Sequence, residues 1–479
     1  MAYSHFERLS ALDNSFLAIE DGRSHMHIGA VAIFEGGPFV TPDGGVDIER
    51  LRRMIEVDLH RIPRYRQRLR YTPVFDQPVW VDDDRFNLSY HVRHTHLPKP
   101  GDDRQLKRLA ARVMSQELDR GKPLWEMWVV EGLGDGRFAI ITKAHHCMID
   151  GVGSVHLTGA MMRATPELDP RFSEPPPRWI PRPAPSQRDL LLAEAGHRTV
   201  APLKALLATG QAAIRPWSAL TSARDIVAGL GTTIGTGFSS ASPTPFNVDI
   251  GPHRRFDWTV TDLAELKAVR TRFGGTVNDV VLAVLAGALG SFLRRRGMDP
   301  GQLDFRVMVP VNVRDAQTRQ DFGNQVAMLV IPLPLGERHP ARRLERTIEE
   351  TRRVKRSRQA AGVQMIESLS DATTPALMVQ FARLTTMARP YNLVTTNVPG
   401  PPMPVYVGGA RMLACYPLVP LFANQALGIA LFSYDGRLHW GFNADWDALP
   451  DLHDLVESVE RELATIRDLG REAPAAAIA

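Results

Sequence analysis

Cysteine is almost absent. The 479 residues hold two, Cys147 and Cys415. Two thiols exclude a disulfide framework and a Cys-based zinc finger, and they fit a reducing compartment. Charge of one sign is equally scarce. Lys and Arg number 57 against 53 Asp and Glu, a formal net charge of +4, so nothing in the composition demands nucleic acid. Gly (37) and Pro (36) are too few for a disordered or collagen-like chain. No secretory leader is visible: the first residues carry Glu7, Arg8 and Asp13 and no apolar run. Met412 to Tyr434 is free of charge and long enough to span a bilayer, but Pro417, Pro420, Asn424 and Gln425 interrupt its middle. A lipid-exposed helix would leave those groups unsatisfied, so two buried strands around a loop are expected, Leu427 to Tyr434 being the second. The chain reads as soluble, or peripheral at most.

What is present is an ordinary globular composition, 44% hydrophobic and 23% charged, at a length that favours two domains. Residues 1–167 read as a first mixed α/β domain. Ile28 to Phe34 and Phe138 to Ala144 have strand patterns, and Val46 to Leu59, Gln105 to Leu118 and Gly153 to Met162 have helical spacing. There is no regular βαβ rhythm and no G-x-G-x-x-G. Prolines then gather between Pro166 and Pro185, opening a crossover linker placed at 168–250 with a helical stretch from Arg188 to Leu207. Residues 251–479 read as a second domain. Its expected helices are Asp262 to Arg272, Val277 to Leu293, Arg342 to Arg358 and Leu452 to Leu469. Its expected strands are Arg306 to Val313, Val326 to Leu333, Tyr391 to Val398, Gly428 to Tyr434 and Leu438 to Asn443. No sequence repeat stands out, yet the two blocks match in size and type, as two related halves would.

One segment carries chemistry: His145-His146-Cys147-Met148-Ile149-Asp150-Gly151, between a strand and a helix. Neighbours on a strand face opposite ways, so both imidazoles reach one site only if the strand ends between them. That, and the lack of a third His or Cys at ligand spacing nearby, argues against a metal. A single imidazole between two domains suits general-base work, since its ordinary pKa near 6.5 leaves it free to take a proton. Asp150 would orient that ring or brace the loop, and Gly151 would permit a tight exit into the next helix. The alternative is that both histidines are satisfied core residues.

His145-His146-x-x-x-Asp150-Gly151 resembles the active-site motif of the CoA-dependent acyltransferase superfamily, which includes chloramphenicol acetyltransferase and condensation domains. Further segments resemble the bacterial wax ester synthase/diacylglycerol acyltransferase family. They are Leu9 to Asp13, Pro123-Leu124-Trp125, Gly251 to Arg255, Asn278-Asp279, Pro310 to Arg314 and Thr396 to Pro401. The resemblance implies an α/β fold of two pseudo-symmetric chloramphenicol-acetyltransferase-like domains, with an active-site tunnel between them and a crossover linker. It implies transfer of an acyl group from acyl-CoA, the co-substrate, to diacylglycerol or a fatty alcohol, with no other cofactor and no metal. His146 would be the base and His145 its partner in the site. Asp150 would be a brace whose partner is Arg314; the other reading of Arg314 is a strand end in solvent. Cys147 would pack rather than attack.

Several residues keep two readings. Asn278 points into the tunnel as an oxyanion donor, or belongs with Thr276 and Asp279 to a capping box, the role favoured for Asp279. Pro123, Leu124 and Trp125 shape the acyl channel or pack under the catalytic strand. Glu20 approaches the site or sits on a solvated helix face. The basic runs Arg294 to Arg296 and Arg342 to Arg358 attract CoA phosphates or an anionic membrane, or are solvated faces. The expected location is the cytoplasm, with contact to the inner membrane or lipid inclusions. Competing activities are another hydroxyl acceptor or a carrier-protein thioester on the same fold, and non-catalytic binding to lipid inclusions.

Overall fold

The structure is a computed structural model. It describes residues 5–42, 45–148, 157–198, 240–312, 326–356 and 389–471. Two large sheets organise it. The first has seven strands in the spatial order Val92–His96, Trp125–Glu131, Phe138–His145, His27–Phe34, Ala410–Leu418, Tyr406–Val407 and Met162–Arg163. The second has six, in the order Val326–Pro332, Arg306–Asn312, Leu393–Pro399, Leu427–Tyr434, Arg437–Asp445 and Arg254–Asp262. A small three-stranded sheet joins Glu7–Arg8, Pro78–Asp82 and Gln67–Tyr71.

Helix α1 (Ala11–Ile19) opens the first half. Ser10 caps it by accepting the Asp13 amide at 3.0 Å, which gives the Leu9-to-Asp13 segment a local purpose. Helix α2 (Ile48–Asp58) covers one face of the first sheet with Leu51, Met54 and Ile55. Helix α3 (Asp103–Met114) covers the other with Leu106, Leu109 and Val113. The Phe138–His145 strand serves both faces by alternation: Phe138 and Ile140 meet the α2 side, Ala139 and Ile141 the α3 side. Val92–His96, α3 and Trp125–Glu131 form one βαβ unit with parallel strands, a local rhythm that the sequence pattern did not show. Each of these two strands is short, and polar residues in Val92–His96 hide its period.

In the second half, α4 (Val277–Arg295) is the central core helix. It is the one helix among the described residues long and apolar enough to cross a membrane, but 78% of its apolar window is buried inside the protein. Helix α5 (Leu452–Arg471) packs beside it. Met412 to Tyr434 is two strands around a loop, and the strands belong to different sheets: Ala410–Leu418 to the first, Leu427–Tyr434 to the second. The chain therefore crosses back to complete the first sheet, pairing Ala410–Leu418 with His27–Phe34.

That crossing brings the halves into close contact. Gly441, in the second sheet, leaves room for the Pro417 carbonyl of the first; a Cβ there would sit 1.9 Å from that oxygen. Trp258 stacks on Tyr416 with ring centroids 4.5 Å apart, and Lys107 of α3 lies 4.7 Å over its ring while pairing with Asp257 at 2.5 Å. Phe256, Trp258, Tyr416 and α3 share one apolar cluster. Trp258→Ala removes an aromatic anchor from this junction, and we expect a loss of about 3–5 kcal/mol, the usual range for a buried Trp. Trp258→Phe should recover much of it. Denaturant unfolding of the two variants measures both.

Candidate active site

The Phe138–His145 strand ends between the two histidines. His145 is its last residue, donates its amide to the Leu124 carbonyl at 2.9 Å, and stands directly opposite His27. His146 begins a single 3₁₀ turn, His146–Met148, and donates its amide to the Met26 carbonyl at 2.8 Å. The two rings thus leave the backbone from different conformations. His145 is 1% exposed, whereas His146 is partly accessible and stacks on Phe16 of α1 with centroids 4.0 Å apart.

Burial and the neighbouring His145 push the His146 pKa down to about 4, so this imidazole is neutral at pH 7. The residue as a whole is half-buried, and its ring Nδ1 is enclosed by protein. The segment before the His27–Phe34 strand touches the second half: Ser24 Oγ donates to the Leu421 carbonyl at 2.7 Å, and Arg254 donates to the Arg23 carbonyl. The site therefore lies where the halves meet.

His145 is locked differently. Its Nδ1 accepts the Cys147 amide at 3.1 Å, so the neutral ring carries its proton on Nε2, which lies 3.5 Å from Glu20 Oε1. A protonated Nε2 has no lone pair for a metal. Among the described residues, no three His, Cys, Asp or Glu side chains are placed to hold an ion. No third histidine stands at ligand spacing beside the pair along the chain, but folding supplies two: His27 lies across the ladder from His145, and His25 stacks near His27 at 5.3 Å. Burial holds both below their ordinary pKa, His27 far below it. Alternation in His25-Met26-His27, leading into a strand, was the available signal.

Glu20 follows α1 as its C-cap and turns inward, with a side chain 10% exposed. Burial works to raise its pKa, but hydrogen bonds from His145 and Arg120 hold it well below the carboxylate range. Cys147 is buried and its thiol is pushed well above the ordinary value by burial, which leaves no thiolate at neutral pH. Pro123, Leu124 and Trp125 are buried, and they lie beside the strand rather than under it: Trp125 opens the neighbouring strand of the same sheet, opposite Ala144. Trp125 donates from Nε1 to the Tyr65 carbonyl at 2.8 Å and stacks on His91 at 4.6 Å. Lys143, two residues before His145, is buried; its ammonium donates to the carbonyls of Val113 and Gln116 at 3.0 and 2.9 Å, tying the end of α3 to this strand.

Asp279 forms the capping box of α4: its Oδ2 accepts the Thr276 amide at 2.7 Å while Thr276 Oγ1 accepts the Asp279 amide at 3.2 Å. Asn278 stands half-buried in the same first turn, and among the described residues no hydrogen bond or ring contact joins it to His146. Asp150, Gly151 and Arg314 lie outside the described residues. A surface cavity of about 430 Å³, lined by His5, Glu7, Arg64, Asp82, Trp179 and Arg182 among others, shares no residue with this site. Its arginines are already paired, Arg64 with Glu7 and Arg182 with Asp82.

A two-sheet α/β fold with a neutral imidazole at a strand end between the halves defines the acyltransferase type of architecture. The chain belongs to the wax ester synthase/diacylglycerol acyltransferase family: the family's catalytic-domain model matches residues 9–281 and its C-terminal-domain model residues 322–467. Tgs1 of Mycobacterium tuberculosis, named a probable diacylglycerol O-acyltransferase, is 32% identical over 96% of this chain and 95% of its own. Tgs2 of the same organism, named likewise, is 32% identical over 94% and 96%. The solved wax ester synthase/diacylglycerol acyltransferase from Marinobacter aquaeolei VT8 superposes with a TM-score of 0.70 at 24% identity, over 97% of this chain and all of that one. The first condensation domain of the calcium-dependent antibiotic synthetase shares the fold at a TM-score of 0.57 and 17% identity, over 98% of both chains.

Burial of neutral imidazoles has a cost in acid. His91, His146 and His439 each titrate at about 4 in the folded protein, burial being the main cause. Unfolded, a histidine titrates near 6.5, so between pH ~6.5 and ~4 the unfolded chain binds protons that the folded one refuses. Stability should therefore be fullest above pH ~6.5 and fall as pH drops toward ~4. A pH series of melting temperatures, followed by circular dichroism, measures the slope; a Tm that rises as the pH is lowered through this window contradicts it.

Proposed function

We propose that the protein transfers a fatty acyl group from acyl-CoA to the hydroxyl of diacylglycerol or a long-chain alcohol, forming triacylglycerol or wax ester, with His146 as general base. The observation that carries this reading is the neutral imidazole of the half-buried His146 at the strand end. Family membership and the names of the relatives supply the substrate class. In this reading acyl-CoA and the alcohol enter a passage between the halves from opposite mouths. The imidazole takes the hydroxyl proton as that oxygen attacks the thioester carbonyl carbon. The tetrahedral intermediate collapses with cleavage of the C–S bond, and the imidazolium returns its proton to the departing CoA thiolate. The ring is thus regenerated, no acyl-enzyme forms, and acyl-CoA is the only small-molecule partner besides the acceptor.

Asn278 is the donor proposed for the developing oxyanion, a contribution of roughly 3–4 kcal/mol where such donors have been removed. Asp150 and Arg314 are proposed as the brace of the loop that Gly151 closes. Product apolarity suits work in the cytoplasm against the inner membrane or a lipid inclusion, and Val74, Ile180 and Leu192 give the surface exposed apolar side chains.

His146→Ala should cost about 10²–10⁴-fold in turnover, the usual weight of a positioned base, with the fold intact. Purified protein is incubated with a panel of acyl-CoA donors and with diacylglycerol and hexadecanol, and the neutral lipids are separated by thin-layer chromatography. Undiminished transfer by His146→Ala would sink the base assignment. Cys147→Ser should transfer at close to the parent rate, and an acyl group recovered covalently on that thiol would contradict direct attack.

A further inference from the structure

The carboxylate of Glu20 is engaged at both oxygens, although the reaction proposed above uses neither. Oε2 accepts from Arg120 at 2.7 Å. Oε1 accepts the Met26 amide at 3.1 Å and has the Nε2 atoms of His145 and His27 each 3.5 Å away. Two of these neighbours lead straight to the catalytic turn. Met26, whose N–H donates to Glu20, accepts the His146 amide at its carbonyl, one Cα further along the backbone. The His145 ring, whose Nε2 lies 3.5 Å from Oε1, accepts the Cys147 amide at Nδ1. One oxygen is therefore connected by two separate paths to the two successive amides that open the turn. The same element also holds the ring itself, since Phe16, one helical turn before Glu20, stacks on His146.

We propose that Glu20 is the positioning residue of the site: through Met26 and His145, its Oε1 sets where the turn places the imidazole of His146. The proposal rests on His146 being the base and adds a residue that never touches substrate. An ionised carboxylate suits the task because both of its oxygens only accept. It faces the guanidinium of Arg120 on one side and the N–H groups of Met26 and His145 on the other without conflict. A carboxamide of the same shape must choose. With its oxygen toward Arg120, its NH₂ meets two N–H donors; turned over, its NH₂ meets the guanidinium. A small displacement of a reacting group is costly, on the order of 100-fold for about 1 Å.

The test uses the full-length protein and three variants: Glu20→Gln, Arg120→Met and the two combined. For each, kcat and KM for acyl-CoA, the melting temperature, and amide hydrogen exchange across residues 145–148 are measured. Glu20→Gln should lower kcat on the order of 10- to 100-fold, with KM for acyl-CoA little changed, and should speed exchange of the His146 and Cys147 amides. Arg120→Met leaves Oε1 in place, so those amides should stay protected. In the combined variant the carboxamide is free to turn its oxygen toward Met26 and His145, and both protection and kcat should recover in large part. Unchanged amide exchange in Glu20→Gln overturns the proposal. So does a combined variant no better than Glu20→Gln alone, or an Arg120→Met protein whose turn loosens as much. Exchange needs no turnover: if the parent protein is inactive toward every donor and acceptor while Glu20→Gln still loosens the His146 and Cys147 amides, the reaction is overturned and Glu20's hold on the turn stands.

Discussion

Were the Phe138–His145 strand to run one residue further in regular pleat, His146 would face the side opposite His145, into the apolar layer under α2. The His146 amide still bonds to the Met26 carbonyl in the ladder's register, and the pleat gives way to a turn where the next amide, that of Cys147, is taken by the His145 ring. The turn that results lifts His146 out of the sheet and onto Phe16, at the junction of the halves. A neutral imidazole there follows from enclosure by protein, which disfavours the charged ring. Position and protonation state thus share one cause, the way this strand ends.

The surroundings are organised to keep that end fixed. Pro123-Leu124-Trp125 runs beside it in the sheet, with the Leu124 carbonyl accepting the His145 amide and Trp125 held by Tyr65 and His91. Lys143 ties the same strand to the end of α3, and α3 in turn carries Lys107 to Asp257 and Trp258 of the second half. The strand Ala410–Leu418, arriving from late in the chain, completes the first sheet beside His27–Phe34. The halves are consequently interlocked through a shared sheet and an aromatic stack, more than would be needed to dock two independent domains.

Much of the architecture was legible in the residues. The short apolar runs Phe138 to Ala144 and Ile28 to Phe34, the apolar length of Val277 to Leu293 and the prolines of Met412 to Tyr434 each predicted the observed element type within a few residues. The capping role of Asp279 followed from Thr276 three residues earlier. Val92–His96 and the hairpin from Gln67 to Asp82 escaped, because their polar and basic residues blur a period of two; Arg254–Asp262 escaped although Phe256 to Thr261 alternates apolar and polar. The inward turn of Glu20 escaped as well, since a carboxylate at a helix end is ordinarily solvated, and only the arrival of Arg120 and His145 from a hundred residues away makes its burial tolerable.

What the amino-acid order determined by itself was local: the period of each strand and helix, the caps, and a histidine pair followed by Asp150 and Gly151 that marks the family. Those features depend on neighbours within a few positions, and backbone sterics with apolar patterning suffice to set them. The tertiary structure alone decided which partners each polar group meets. It placed His27 across from His145, brought Arg120 to Glu20, and sent Ala410–Leu418 into the first sheet rather than the second. Such pairings depend on closing long loops around a common core, and no short-range pattern encodes the energy of contacts that exist only after both halves have packed.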